Sequence, residues 1–123
     1  MILADTSIWV EFFRQTNIEG NQKFAECLES NSVIAISAVF GELLQGVRND
    51  KEEKVILECW RYLPKIKEDD LFIEAGKLSN HYKLFNKGIG LIDCYIIAAA
   101  KINKLEILSL DKKLLQAYHL INT

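Results

Sequence analysis

Apolar residues in this chain group in two ways. Three stretches are short and mainly apolar: Met1-Ile2-Leu3-Ala4, Val33-Ile34-Ala35-Ile36, and Leu105 to Leu110. Polar or turn residues bound each one, and they read as buried strands. Elsewhere apolar residues recur at helical spacing. Helices are predicted over Ile8 to about Gln15, Gln22 to Glu29, Ala38 to about Val47, Asp69 to Leu84, and Asp111 to about Ala117. Another follows the charged segment Arg48 to Lys54 and runs to about Tyr62, before the only proline, Pro64. Asn17 to Gly20, Ser30 to Ser32 and Asn86 to Gly90 are turn-like. Two weaker signals are short strands at Lys65 to Lys67 and at Leu120-Ile121. Asp5-Thr6-Ser7 can cap the first helix, and Ser37 the third.

The stretch Gly90 to Lys101 stands apart. From Cys94 to Ala100 it is apolar on every side, so its helix is expected to be buried all round. Asn103-Lys104 closes it. Alternation of strands and helices, with strands apolar along their length, predicts a parallel sheet covered on both faces. The expected fold is one α/β domain over residues 1–123, a three-layer α/β/α sandwich on a central, mostly parallel sheet. No internal repeat, linker or low-complexity segment interrupts it.

Composition narrows the function. The net charge of −2 offers no general basic field for nucleic acid, so any such binding must rest on local patches or on metal. Cys27, Cys59 and Cys94 have no paired spacing and read as small buried hydrophobes of a reducing compartment. No apolar run is long enough to span a membrane. The N-terminus carries no basic segment and does not read as a signal peptide, so a cytoplasmic location is expected.

The chemistry lies in four acids. Asp5 follows the first strand and Asp111 the last clear one; Glu42 and Asp93 sit early on helices. In open α/β sheets, ligands bind beyond the carboxyl ends of the strands. Asp93 alone reads equally as a helix N-terminal acid, and Glu42 also as a surface helix acid. Taken together, four carboxylates in one crevice repel each other and need a divalent cation or raised pKa values. An all-oxygen set with no His or Cys suits Mg²⁺ or Mn²⁺, and such ions serve phosphoryl chemistry.

Asp5-Thr6-Ser7, Glu42 within Gly41-Glu42-Leu43-Leu44-Gln45-Gly46, Asp93 within Leu91 to Ala100, and Asp111 after Leu108-Ser109-Leu110 resemble the PIN-domain ribonucleases. Within these the chain is similar to the VapC toxins of toxin–antitoxin pairs. The resemblance spans nearly the whole chain. It implies a Mg²⁺- or Mn²⁺-dependent endoribonuclease that hydrolyses RNA, is usually a homodimer, and is inhibited by a cognate antitoxin protein. It implies that Asp5, Glu42 and Asp93 are core metal-binding and catalytic acids, with Asp111 the more variable fourth. Thr6, Ser7 and Ser109 match positions that support the acids by hydrogen bonding. Leu114 stands where the family often has an aromatic residue, and Lys112 and Lys113 alter the same corner.

The remaining residues carry two readings each. Trp9, Phe12 and Phe13 share one helix face, which is core packing or a docking face for the antitoxin. Lys83, Lys87, Arg14, Lys112 and Lys113 are solvated residues or RNA-phosphate contacts. Trp60 and Tyr62 are packing residues or base-stacking platforms. His81 and His119 match no motif. The alternatives are a Mg²⁺-binding phospho-acceptor module of the receiver type and a non-catalytic PIN-like binding domain. The receiver type needs adjacent acids after the first strand and an acceptor Asp after a central strand, and the chain has neither.

Overall fold

The computed structural model describes residues 1–14 and 18–122. Its first strand, β1 (Ile2–Ala4), runs parallel to both β2 (Val33–Ile34) and β3 (Glu106–Leu108), giving the order β2-β1-β3. β1 is therefore central, and the chain leaves it for one side and later returns to the other. The helices are α1 (Thr6–Arg14), α2 (Ile18–Glu29), α3 (Ser37–Gln45), α4 (Asp50–Tyr62), α5 (Leu71–Tyr82), α6 (Leu91–Asn103) and α7 (Lys112–Asn122). The result is the expected three-layer α/β/α arrangement, with all three strands parallel.

α6 is the spine of the core. Cys94 to Ala100 are all buried, and the helix packs against α3, α5, α7 and β3. Its small residues Ala98, Ala99 and Ala100 are at most 1% exposed and let neighbouring elements approach closely. Each fully buried large aliphatic side chain removed from water contributes about 1.5–3 kcal/mol. Leu3, Ile36, Ile96, Ile97 and Leu114 are of this kind.

Several boundaries differ from expectation. α2 begins at Ile18, so Ile18 to Gly20 are helical, and Asn17 lies outside the described residues. The expected strand at Lys65 to Lys67 is a single parallel bridge, Ala35 to Lys65. Leu120-Ile121 is not a strand but the last turn of α7, because Leu114, Ala117, Tyr118 and Ile121 form one buried helical stripe. Ser37 does not cap α3. It is the first helical residue, and its N–H and hydroxyl donate to Glu68, 3.0 and 2.7 Å from Oε1.

Candidate metal centre

β1 and β3 deliver two acids to the same edge of the sheet. The Asp5 N–H donates to the Leu108 carbonyl at 3.0 Å, which locks the end of β1 to the end of β3. Asp5 is the only buried charged residue among those described, at 6% exposure. Its Oδ1 accepts from the Ser7 hydroxyl at 2.5 Å and from the Ile8 N–H at 3.3 Å. The second bond is that of an N-cap, so Asp5 has a structural task in starting α1. Its Oδ2 accepts a short hydrogen bond from the Ser109 hydroxyl.

The two serines also tie down the next turn. Ser7 Oγ accepts from the Leu110 N–H at 3.0 Å, and Ser109 Oγ accepts from the Asp111 N–H at 2.9 Å. Each hydroxyl proton is thereby directed at Asp5. Asp111 caps α7 in turn, with Oδ1 accepting from Lys113 N–H at 2.9 Å and Leu114 N–H at 3.4 Å. Glu42 is reached from the same segment, since the Thr6 hydroxyl donates to its Oε1 at 2.6 Å. Thr6, Ser7 and Ser109 thus link three of the four acids in one lattice.

Asp93 is different. It sits in the first turn of α6, half-buried, but Gly90 holds the N-cap position and no side chain caps the helix. Among the described residues no hydrogen bond reaches its carboxylate. Burial raises its pKa above the ordinary Asp range, and the charges of Asp111, Asp5 and Glu42 raise it further. Asp93 therefore stands within electrostatic reach of the other three; it is a first-turn acid of α6 but not its cap, whereas Asp5 and Asp111 cap α1 and α7.

The donor set fits a hard divalent cation: carboxylates alone, one of them with free lone pairs and held against its like charges. Among the described residues no three acidic, His or Cys side chains are drawn together closely enough to form a ready cage. A bound ion would have to draw the acids inward.

Comparison with known proteins decides the family. The PIN domain family matches residues 2–120. The chain belongs to the PIN domain family. PIN domains are generally nucleases, so hydrolysis of nucleic acid is the activity class to which this PIN domain is assigned. No curated protein matches it.

Other candidates fall away or move. Trp9 is 1% exposed and enclosed by Phe12, Phe13, Phe24 and Phe40, so the Trp9 part of the expected docking face is core packing, whereas Phe13 stays 38% exposed. Sequence reasoning missed a nearby groove of about 660 Å³ between α1, α3 and α4, which has Glu42 on its wall and Val10, Phe13 and Val55 among its apolar lining. α1 is distant in sequence from α3 and α4, so only the scattered exposed apolar positions hinted at it. Trp60 packs on Phe40 and carries Lys65 Nζ over its ring at 4.7 Å, whereas Tyr62 is 78% exposed and does not pack. His81 and His119 lie on α5 and α7, outside the acid cluster. No described helix is long and apolar enough to cross a membrane.

Proposed function

We propose that this PIN domain is a divalent-metal-dependent endoribonuclease and the toxin of a type II toxin–antitoxin pair. The single observation that carries the metal reading is Asp93, a half-buried carboxylate that accepts no hydrogen bond among the described residues and lies within electrostatic reach of three other acids. Such an arrangement is unfavourable in the metal-free protein and becomes favourable when a cation is bound. Mg²⁺ or Mn²⁺ held by Asp5, Glu42, Asp93 and Asp111 supplies activated water and charge neutralisation at a phosphodiester. The chain's own residues do the rest. Ser7 and Ser109 fix the Asp5 carboxylate, Thr6 fixes Glu42, and the Asp111 cap sets its backbone at the end of β3.

RNA backbone would be gripped by the exposed cations Arg14, Lys83, Lys87, Lys112 and Lys113. The antitoxin would lie in the groove beside Glu42, where an apolar segment meets Val10, Phe13 and Val55 and a basic side chain reaches the acids. We infer a cytoplasmic homodimer as the working form.

RNA incubated with the protein should be cut in Mg²⁺ or Mn²⁺ and left intact in EDTA. Asp5→Asn and Asp93→Asn should each abolish cutting. Full activity of either purified variant removes that residue from the mechanism. Phosphate uptake from acetyl phosphate with RNA left intact would support the receiver reading instead.

A further inference from the structure

Glu68 lies in neither the acid cluster nor any motif of the sequence, yet its carboxylate accepts from Ser37 and from Tyr95 at once. Its Oε1 accepts from the Ser37 N–H at 3.0 Å, the Ser37 hydroxyl at 2.7 Å and the Tyr95 hydroxyl at 2.6 Å. Its Oε2 also faces the Ser37 N–H, at 3.1 Å. Ser37 opens α3, the helix that carries Glu42, and Tyr95 lies two residues beyond Asp93 on α6. Glu68 thus ties together the two helices that supply the acids not borne by strand ends.

The segment that presents Glu68 is itself fixed. The Ala35 N–H donates to the Pro64 carbonyl at 2.9 Å, and Lys65 bridges Ala35 in parallel register beside β2. The Leu71 N–H then closes a turn on the Glu68 carbonyl at 3.1 Å. α3 has no cap of its own: Ile36 holds the N-cap position without a side-chain bond. An ionised carboxylate at free helix N–H groups is favoured by the helix dipole and makes strong, directional bonds. Apolar packing between α3 and α6 gives close approach but no unique register, and the hydrogen-bonded tether supplies one.

We propose that Glu68 is a positioning residue that sets the gap between Glu42 and Asp93 by tethering the start of α3 to Tyr95 of α6. It touches neither substrate nor cation. This rests on the metal-binding reading of the four acids. A site whose ligands come from separate elements loses affinity when the gap between them is free to vary, because the cation must then restore it.

The test is Mn²⁺ binding by the full chain, read from the loss of the free-ion electron paramagnetic resonance signal, alongside thermal melting. Glu68→Ala should weaken Mn²⁺ binding about tenfold, the low end for a supporting residue of a metal site. Glu68→Gln keeps an acceptor oxygen for Tyr95 and Ser37 and should recover most of that loss. Tyr95→Phe cuts only the α6 arm and should weaken binding by a smaller factor. If Glu68→Ala does not fold, Tyr95→Phe decides. Wild-type affinity in folded Glu68→Ala, or in Tyr95→Phe, overturns the tether even if melting falls, since that is a structural role alone. A wild-type protein that binds no Mn²⁺ overturns the metal reading itself and the tether with it, an outcome distinct from variants that match a binding wild type.

Discussion

Asp5 follows β1, is buried, and has three donors on its carboxylate; Asp93 lies in the first turn of α6, is half-buried, and has none among the described residues. Both belong to the same acid cluster, and each raises the question of what offsets a charge beside a core. For Asp5 the protein answers with Ser7, Ile8 and Ser109. For Asp93 it gives no answer within the described residues. A buried acid that is satisfied contributes to folding, whereas one that is partly buried and surrounded by acids opposes it. The same residue type at the same site therefore has opposite effects on stability, and only the second arrangement calls for something from outside the chain.

The largest way to break this contrast is truncation. Asp5→Ala removes an N-cap and leaves the Ser7 and Ser109 hydroxyls without their acceptor. Loss of the cap costs about 1 kcal/mol, and each of the two part-buried hydroxyls that loses its bond adds roughly 0.5–1.5 kcal/mol. The expected loss is about 2–4 kcal/mol in urea-monitored unfolding. Asp93→Ala should fall within about 0.5 kcal/mol of wild type in EDTA. Equal losses for the two would show that Asp93 is held by bonds of its own.

Metal addition comes next. A cation at 100 times its dissociation constant stabilises a protein that binds it only when folded by about 2.7 kcal/mol. Wild type should gain this in Mg²⁺ or Mn²⁺ melts, and Asp93→Asn should lose most of it. A wild-type melting curve that ignores both ions would sink the metal reading without touching the fold.

A smaller effect separates Thr6 from the serines. Its hydroxyl bonds Glu42 at an exposed position. Thr6→Val should cost no more than about 0.5–1 kcal/mol, the worth of one hydrogen bond. It should weaken Mn²⁺ binding more than it lowers stability. An unchanged affinity would leave Thr6 without a role at Glu42.

Much of this was legible in the chain, for identifiable reasons. The strand at Ile2–Ala4 and the buried α6 are spelled out by runs of apolar residues, and a short range of sequence suffices to read them. Asp5 and Asp111 follow strand ends and Asp93 lies in the first turn of its helix, so topology places these three near one edge; Glu42 was expected early on its helix but lies past the middle of α3, and the Thr6 hydroxyl is what ties it to them. What failed to show depends on distance or on period. Glu68 caps α3 from 31 residues away, and nothing near Ser37 announces it. Leu120-Ile121 is too short a run to distinguish strand from helix, although Leu114, Ala117, Tyr118 and Ile121 at helical spacing carried the answer. Trp9, Phe12 and Phe13 share a face in sequence, but only Phe24 and Phe40 reveal that Trp9 is covered. The cap at Asp5 was expected from Asp5-Thr6-Ser7, whereas that of Asp111 was not: a residue that follows a strand and starts a helix is open to two descriptions, and both apply.

The smallest expected effect tests the contrast most directly. In the metal-free protein, burial and then Asp111, Asp5 and Glu42 raise the Asp93 pKa. The folded state therefore holds this proton to higher pH than the unfolded state does. Between the two titrations the native protein binds more protons, so stability falls as pH rises. The Asp93 contribution is intact below the ordinary Asp value of about 3.9 and is fully lost above the raised native value. Other acids that fold stabilises behave in the opposite sense, so the quantity to follow is the difference between wild type and Asp93→Asn. In EDTA the two should melt together near pH 4, where protonated Asp93 resembles Asn in shape and charge. Towards neutral pH the Asn variant should melt higher, by roughly 2 °C if the gain is near 0.5 kcal/mol. The variant gives up a helix-dipole interaction of about 0.3–1 kcal/mol. Relief from burial and three like charges must exceed that for the sign to hold. Excess Mg²⁺ should close or reverse the gap, because wild type alone retains the full site. A variant that melts lower than wild type at neutral pH in EDTA, with no response to Mg²⁺, would mean that Asp93 stabilises its helix and does not oppose folding.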